Sequence, residues 1–160
     1  MTKMQRALWV DDDGEGRFPY ELSVLVDHNV STDWAIDAAE AVAKLQNTPY
    51  DLVLLDQVFP IHRDSSYKDV WSGCRLLYWL RGENPPGDSP QVAVWTEFLR
   101  GKVPLPINRK VPVIIISGFQ DDHVDDALKK ANHGIPIFPK PVDGDKLLET
   151  IAQLLSKEKW

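Results

Sequence analysis

The chain has 160 residues, of which 43% are hydrophobic and 9% aromatic, and its formal net charge is −6. This length predicts one domain spanning residues 1–160, and the apolar content is typical of a folded core and not of intrinsic disorder. The acidic balance argues against direct nucleic-acid binding, and the lack of a run of 18 apolar residues argues against a membrane span.

Short apolar runs alternate with amphipathic stretches along the chain. Unbroken apolar runs predict strands buried on both faces, whereas apolar residues at helical spacing predict helices. A strand followed by a helix, five times over, predicts an α/β fold with one parallel sheet and helices on both faces. In chain order, we predict strands at residues 7–10, 33–37, 50–55, 111–116 and 135–138, and helices at residues 19–27, 38–46, 73–81, 91–100, 121–132 and 143–156.

The third predicted strand ends at the residue that we expect to react, Asp56. Four apolar residues precede Asp56, and Pro60 shortly after it cannot continue a central strand. Asp56 therefore lies at the strand's carboxyl end, where open α/β sheets bind their ligands. The same stretch is equally consistent with an aspartate that caps a loop or helix.

Polar residues also follow the other predicted strands. Asp11 and Asp12 come after the first strand, Ser117 ends the fourth, and Lys140 follows the fifth. Taken singly, the acids fit a solvated turn, Ser117 a helix cap and Lys140 a surface charge. Their joint placement at one sheet edge, together with Asp56, favours a functional site instead.

This set of side chains suits phosphoryl chemistry. Carboxylates crowded into one cleft repel one another unless a divalent cation binds, and oxygen ligands favour Mg²⁺, with Mn²⁺ as the alternative. An aspartate can act as a nucleophile and form an aspartyl phosphate. The Lys140 ammonium would offset charge on the transferring group, and the Ser117 hydroxyl could donate to a phosphate oxygen.

At these positions the chain resembles the receiver domain of two-component response regulators, over about residues 5–60, 73–81 and 111–156. The resemblance implies a flavodoxin-like sheet of five parallel strands. The motifs that carry it are Leu8-Trp9-Val10-Asp11-Asp12, the strand from Tyr50 to Asp56 with Phe59-Pro60, Val113 to Gly118, and Lys140-Pro141.

The resemblance also implies roles for single residues. Asp56 would accept a phosphoryl group from a phosphohistidine on a sensor histidine kinase or a histidine phosphotransfer protein. Mg²⁺ would be held by Asp11, Asp12, Asp56 and the backbone carbonyl of Val58, with Asp12 a likelier direct ligand than Asp11. Phosphate contacts would come from the two remaining side chains, Ser117 and Lys140.

Two departures from the family pattern stand out. Ile137 occupies the position where the family often has a switch Tyr or Phe, which puts the usual coupling to the hydroxyl in doubt, and Pro139 before Lys140 is unusual. The spacing between Asp56 and Ser117 is about twice the usual one, which predicts insertions at about residues 61–72 and 82–110. We expect their large apolar side chains to pack back on the domain: Trp71, Trp95, Phe98 and Leu99.

Three functions remain open from the sequence. The first is a stand-alone receiver that signals through a downstream partner or relays the phosphoryl group, with at most self-directed phosphotransfer and autodephosphorylation as enzyme activity. The second is a Mg²⁺-dependent phosphohydrolase of the haloacid-dehalogenase type with Asp11 as nucleophile, although Gly14 departs from that motif. The third is a degenerate receiver that only binds protein. A homodimer is also open.

The remaining candidate metal ligands predict no site. Cys74 is the single cysteine, which excludes an internal disulfide and a cysteine metal cluster. The spacing of His62, His123 and His133 fits no metal motif, so we expect surface histidines. With no signal-peptide pattern at the N-terminus, we expect a cytoplasmic protein.

Overall fold

The computed structural model describes residues 4–14, 23, 25–65, 68–84, 90–118, 121–131 and 134–157. Its centre is a five-stranded, all-parallel sheet in the order β2-β1-β3-β4-β5. This order is that of the flavodoxin-like doubly wound fold, and it confirms the predicted fold class. The strands are β1 (Gln5–Val10), β2 (Val30–Ala35), β3 (Leu52–Leu55), β4 (Val113–Ser117) and β5 (Ile137–Pro139).

Helices cover both faces of the sheet, as predicted. Side chains alternate along each central strand, so Leu8 and Val10 face one apolar cluster while Ala7 and Trp9 face the other. Within the described ranges, no helix is long and apolar enough to cross a membrane. The helices are α1 (Ala38–Asn47), α2 (Ser72–Arg81), α3 (Pro90–Leu99), α4 (Asp122–Ala131) and α5 (Gly144–Lys157), with a 3₁₀ helix at Pro106–Lys110.

All five strands begin two or three residues away from their predicted starts, and β2 differs most. β2 lies at Val30–Ala35 and not at residues 33–37, because Asp37 instead caps α1 by accepting a hydrogen bond from the Glu40 N–H. β2 is an edge strand whose middle four residues are half-buried, so no apolar run marks it in the sequence. β5 begins at Ile137, two residues later than predicted. The largest displacement, that of β2, falls at an edge of the sheet, where burial constrains the sequence least.

The predicted helix at residues 19–27 falls mostly outside the described residues. Its described part, residue 23 and residues 25–27, is helical. Leu25 is buried in the cluster that α5 also joins.

The long stretch between β3 and β4 packs against the domain, which confirms the expectation for its apolar side chains. Trp95 and Leu99 are buried, and Trp71 and Phe98 pack against the same core cluster. Asn108 also attaches this stretch to the domain, because its side-chain amide donates to the carbonyls of Leu45 and Thr48. The domain bounds of 1–160 and the insertion limits stay predictions.

Candidate functional site

Two aspartates emerge side by side from the centre of the sheet. The Asp11 N–H donates to the Ala35 carbonyl at 3.0 Å, and the Asp56 N–H donates to the Val10 carbonyl at 2.9 Å. The sheet hydrogen bonds therefore continue to the two residues that follow β1 and β3. Carboxylate oxygens of Asp11, Asp12 and Asp56 all lie within 4.8 Å of one another.

A lysine from the other half of the sheet joins the three carboxylates. Lys140 Nζ lies 2.8 Å from Asp11 Oδ2 and 3.1 Å from Asp56 Oδ2. Its position follows from the pairing of β4 with β5, because Ser117 lies opposite Pro139 and the Lys140 N–H donates to the Ser117 carbonyl at 3.2 Å. The fold thus gathers all five predicted site side chains at one carboxyl edge of the sheet.

Burial sets the electrostatics of Asp56. Only 5% of this residue is exposed, and desolvation raises the pKa of its carboxyl group from 3.8 to about 6, against the opposing effect of the Lys140 ammonium. Burial alone lowers the pKa of Lys140, but hydrogen bonds and charge attraction from Asp11 and Asp56 outweigh it and raise that pKa. At pH 7 the Asp56 carboxylate is therefore mostly ionised beside a protonated Lys140.

The loop after β3 is held close to α2 by a glycine. A Cβ atom on Gly73 would lie 2.3 Å from the Asp56 carbonyl oxygen, so this position requires glycine for the close approach. The Gly73 N–H donates to the Gln57 carbonyl at 3.1 Å, and the Gln57 N–H donates to Asp56 Oδ1 at 2.7 Å. The Asp56 side chain is therefore oriented by its own loop.

Gln57 extends this contact to α4. It is fully buried, and its Nε2 donates to Asp125 Oδ1 at 3.1 Å. The residue next to Asp56 therefore touches a helix on the surface of the domain.

A buried ion pair that the sequence analysis missed fixes the segment before α2. Arg75 Nε lies 2.6 Å from Asp69 Oδ2, and both side chains are almost fully buried. Asp69 also accepts from the Trp71 N–H and forms an isolated β-bridge with Phe59. An arginine inside the apolar run of α2 was the available signal, because a buried arginine requires an acidic partner.

A second missed residue reaches the acids directly. The Lys68 ammonium, on the segment that precedes α2, forms a hydrogen-bonded ion pair with Asp12 Oδ2. No pattern in the sequence indicates this contact, because residues 61–71 are polar and irregular. Lys68 therefore lies beside the acids only because of how that segment folds.

The remaining predicted positions are placed but their roles are not tested. Val58 lies half-buried in the loop after Asp56, and its carbonyl as a ligand stays a prediction. Ile137 is half-buried against the core cluster and has no ring to rotate. His62 packs edge-on against Phe98, His123 is exposed, and His133 lies outside the described residues.

The donor set fits a hard divalent cation. Three carboxylates within 4.8 Å offer only oxygen ligands, and such a cluster is the kind that Mg²⁺ or Mn²⁺ binds while keeping several waters. Asp11 and Asp12, with Asp56, would supply these oxygens.

The solved structures that match this chain include receiver domains of response regulators. A CheY-like response regulator receiver domain protein from Methanospirillum hungatei has a TM-score of 0.66 at 21% identity, with 98% of each chain covered. The receiver domain of the Francisella response regulator 1452 has a TM-score of 0.63 at 19% identity, covering 96% of this chain and 98% of that one. A two-component response regulator from Clostridium difficile has a TM-score of 0.64 at 15% identity, covering 98% and 99%.

Known proteins match this chain when structures are compared, whereas comparisons of the sequence find no match. No model of a known protein family matches the chain, and no curated protein matches it. The strand order and the coverage of nearly the whole chain agree with the resemblance noted in the sequence. The chain therefore has the fold of response-regulator receiver domains.

Proposed function

We propose that the protein is a phosphoacceptor switch in which Asp56 takes a phosphoryl group from a phosphohistidine, with Mg²⁺ bound beside it. The observation that carries the proposal is the convergence of Asp11, Asp12, Asp56 and Lys140 at one sheet edge. The receiver fold supports it, because ligands of such folds bind at this switch point of the sheet.

The chemistry assigned to Asp56 is a nucleophilic attack on phosphorus. A carboxylate oxygen forms the new P–O bond while the P–N bond to the donor imidazole breaks. A pKa of about 6 leaves the carboxylate ionised at pH 7, and Lys140 keeps its position beside it. When bound, Mg²⁺ would supply charge neutralisation at the phosphoryl oxygens.

Lys140 and Ser117 are the proposed phosphate contacts. Lys140 Nζ already lies against the acceptor carboxylate, so it would balance the charge of the added group. Ser117 is buried at the end of β4, and its backbone carbonyl accepts from the Lys140 N–H. The hydroxyl would donate to a phosphoryl oxygen on the same side as the ammonium.

Phosphorylation would be read out by neighbouring elements and then by a partner. With Ile137 in place of an aromatic switch residue, the contact of Gln57 with Asp125 offers a direct route from the acceptor loop to α4. The added negative charge would change that loop, and α4 would present the change to a downstream protein. The phosphodonor would be a sensor histidine kinase or a histidine phosphotransfer protein, and homodimerisation and a cytoplasmic location stay predictions.

The decisive experiment is incubation of the protein with Mg²⁺ and acetyl phosphate, followed by mass mapping of the modified residue. We expect one phosphoryl group on Asp56, and we expect Asp56→Asn to abolish it. Asp51→Asn is the matched control, because Asp51 flanks the amino end of the same strand and should leave the labelling unchanged.

The same mapping separates the competing functions. Label on Asp11 in place of Asp56 would favour the phosphohydrolase with Asp11 as nucleophile. No label on any aspartate, with Mg²⁺ bound, would favour a module that only binds protein.

A further inference from the structure

The contact between Lys68 and Asp12 has a consequence for cation binding. We propose that the Lys68 ammonium is a tethered counterion that occupies the Asp12 side of the acid cluster and must be displaced when a divalent cation binds. This inference rests on the proposed Mg²⁺ site, and it assigns to Lys68 the role of setting the affinity of that site.

The charge balance of the cluster supports the inference. Three carboxylates meet two ammonium groups, Lys140 on Asp11 and Asp56 and Lys68 on Asp12. The acids are therefore largely compensated before any metal arrives. A divalent cation that uses Asp12 competes for the same carboxylate and is repelled by the ammonium as well.

The two lysines differ in how firmly they are held. Lys140 is 13% exposed and contacts two carboxylates, so it is part of the packed site. Lys68 is 51% exposed at the side chain and its partner Asp12 is 15% exposed. Breaking an exposed ion pair costs little free energy, so we expect the cation to displace Lys68 and not Lys140.

The backbone around Lys68 keeps the ammonium near the cluster after displacement. The next residue, Asp69, is buried, bonded to Arg75 and bridged to Phe59. The Lys68 side chain is therefore tethered one residue from a fixed point, and its local concentration at Asp12 stays high. Displacement is reversible, and release of the cation returns Lys68 to Asp12.

The test compares cation affinities of Lys68→Gln, Lys68→Arg and Lys129→Gln with that of the wild-type chain. Lys129→Gln is the matched control, because it removes the same charge from an exposed position on α4. Mg²⁺ and Mn²⁺ binding to the full, unphosphorylated chain is measured by titration calorimetry at low ionic strength. The readout is a dissociation constant and does not depend on phosphorylation.

We expect Lys68→Gln to bind the cation about fivefold more tightly than the wild type, the effect of removing one competing exposed ion pair. Lys68→Arg should stay close to the wild type, since the guanidinium keeps the charge. The gain of Lys68→Gln should shrink at about 0.5 M KCl, because screening weakens exposed charges.

Equal affinities for Lys68→Gln and Lys129→Gln would overturn the inference, and so would a lack of cation binding to every chain. Acetyl phosphate labelling of the same variants separates this outcome from failure of the proposed function. If Asp56 is labelled but the cation affinity of Lys68→Gln does not change, only the proposed role of Lys68 in cation binding is wrong. If Lys68→Gln binds the cation more tightly but Asp56 is not labelled, the competition between Lys68 and the cation is supported and the phosphoacceptor role of Asp56 is not.

Discussion

At the scale of single residues, burial disfavours the ionised form of Asp56. It is buried next to Asp11, and although the Lys140 ammonium lies 3.1 Å away, desolvation still raises its pKa from 3.8 to about 6. The folded protein therefore binds the Asp56 proton more tightly than the unfolded chain does. Stability contributed by this group is present below about pH 4 and is lost as the pH rises towards 6.

This linkage predicts that Asp56→Asn stabilises the cation-free protein at pH 7, by about 3 kcal/mol in the free energy of unfolding. The amide resembles the protonated acid, so the gain should disappear near pH 3, where Asp56 is mostly protonated in both states. Urea unfolding in EDTA at the two pH values measures the difference.

Asp51→Asn provides the opposite control. Asp51 Oδ2 accepts a hydrogen bond from the Arg6 N–H at 2.9 Å. The amide oxygen of an asparagine is a weaker, uncharged acceptor, so Asp51→Asn should bring no gain in stability. An Asp56→Asn variant that is less stable than the wild type at pH 7 would contradict the electrostatic account.

At the scale of elements, the segment before α2 is attached to the site through buried polar contacts. Ser72 Oγ lies 2.6 Å from the Phe59 carbonyl oxygen and 2.7 Å from that of Asp69, so its single O–H is shared between them. The Asp69–Arg75 ion pair is almost fully buried. These contacts fix where Lys68 enters the acid cluster. The segment before α2, which is irregular in sequence, therefore has a fixed structure beside the site.

Removing one partner of this ion pair should be costly, because it leaves an uncompensated buried charge. We expect Arg75→Met to lower the free energy of unfolding by about 3 kcal/mol. The matched control is Arg100→Met, which removes an arginine that is 73% exposed and paired with an equally exposed Glu97. Thermal and urea unfolding of both variants measure the contrast, and equal effects would show that burial of the Asp69 pair contributes nothing.

At the scale of the whole molecule, the site exists only in the folded chain. Asp11 and Asp12 follow β1, Asp56 follows β3 and Lys140 follows β5, so the parallel sheet is what makes them neighbours. A cation that needs carboxylates from two strands binds the native state and not the unfolded chain.

Binding of this kind predicts that Mg²⁺ stabilises the protein against unfolding. At a concentration ten times its dissociation constant, the gain should be about 1.4 kcal/mol. Asp12→Asn should lose most of the gain, and KCl at matched ionic strength serves as the control for screening. An equal shift in melting temperature for the wild type and Asp12→Asn would place the effect outside the acid cluster.

The sequence by itself determined the parallel sheet and the polar residues that follow its strands. The central strands are buried on both faces, so their apolar runs are unbroken and end visibly at Asp11, Asp56 and Ser117. Parallel connectivity then places every such end on one edge, which is why the sequence also groups Lys140 with these residues.

Only the tertiary structure decided the bounds of β2, the buried Asp69–Arg75 pair and the approach of Lys68 to Asp12. β2 lies at the edge of the sheet, where half-buried positions accept polar residues and leave no periodic signal. The other two features depend on how one irregular segment packs against Phe59 and α2. Each of these contacts joins two residues that are brought together by the fold. A local sequence pattern does not predict such a contact.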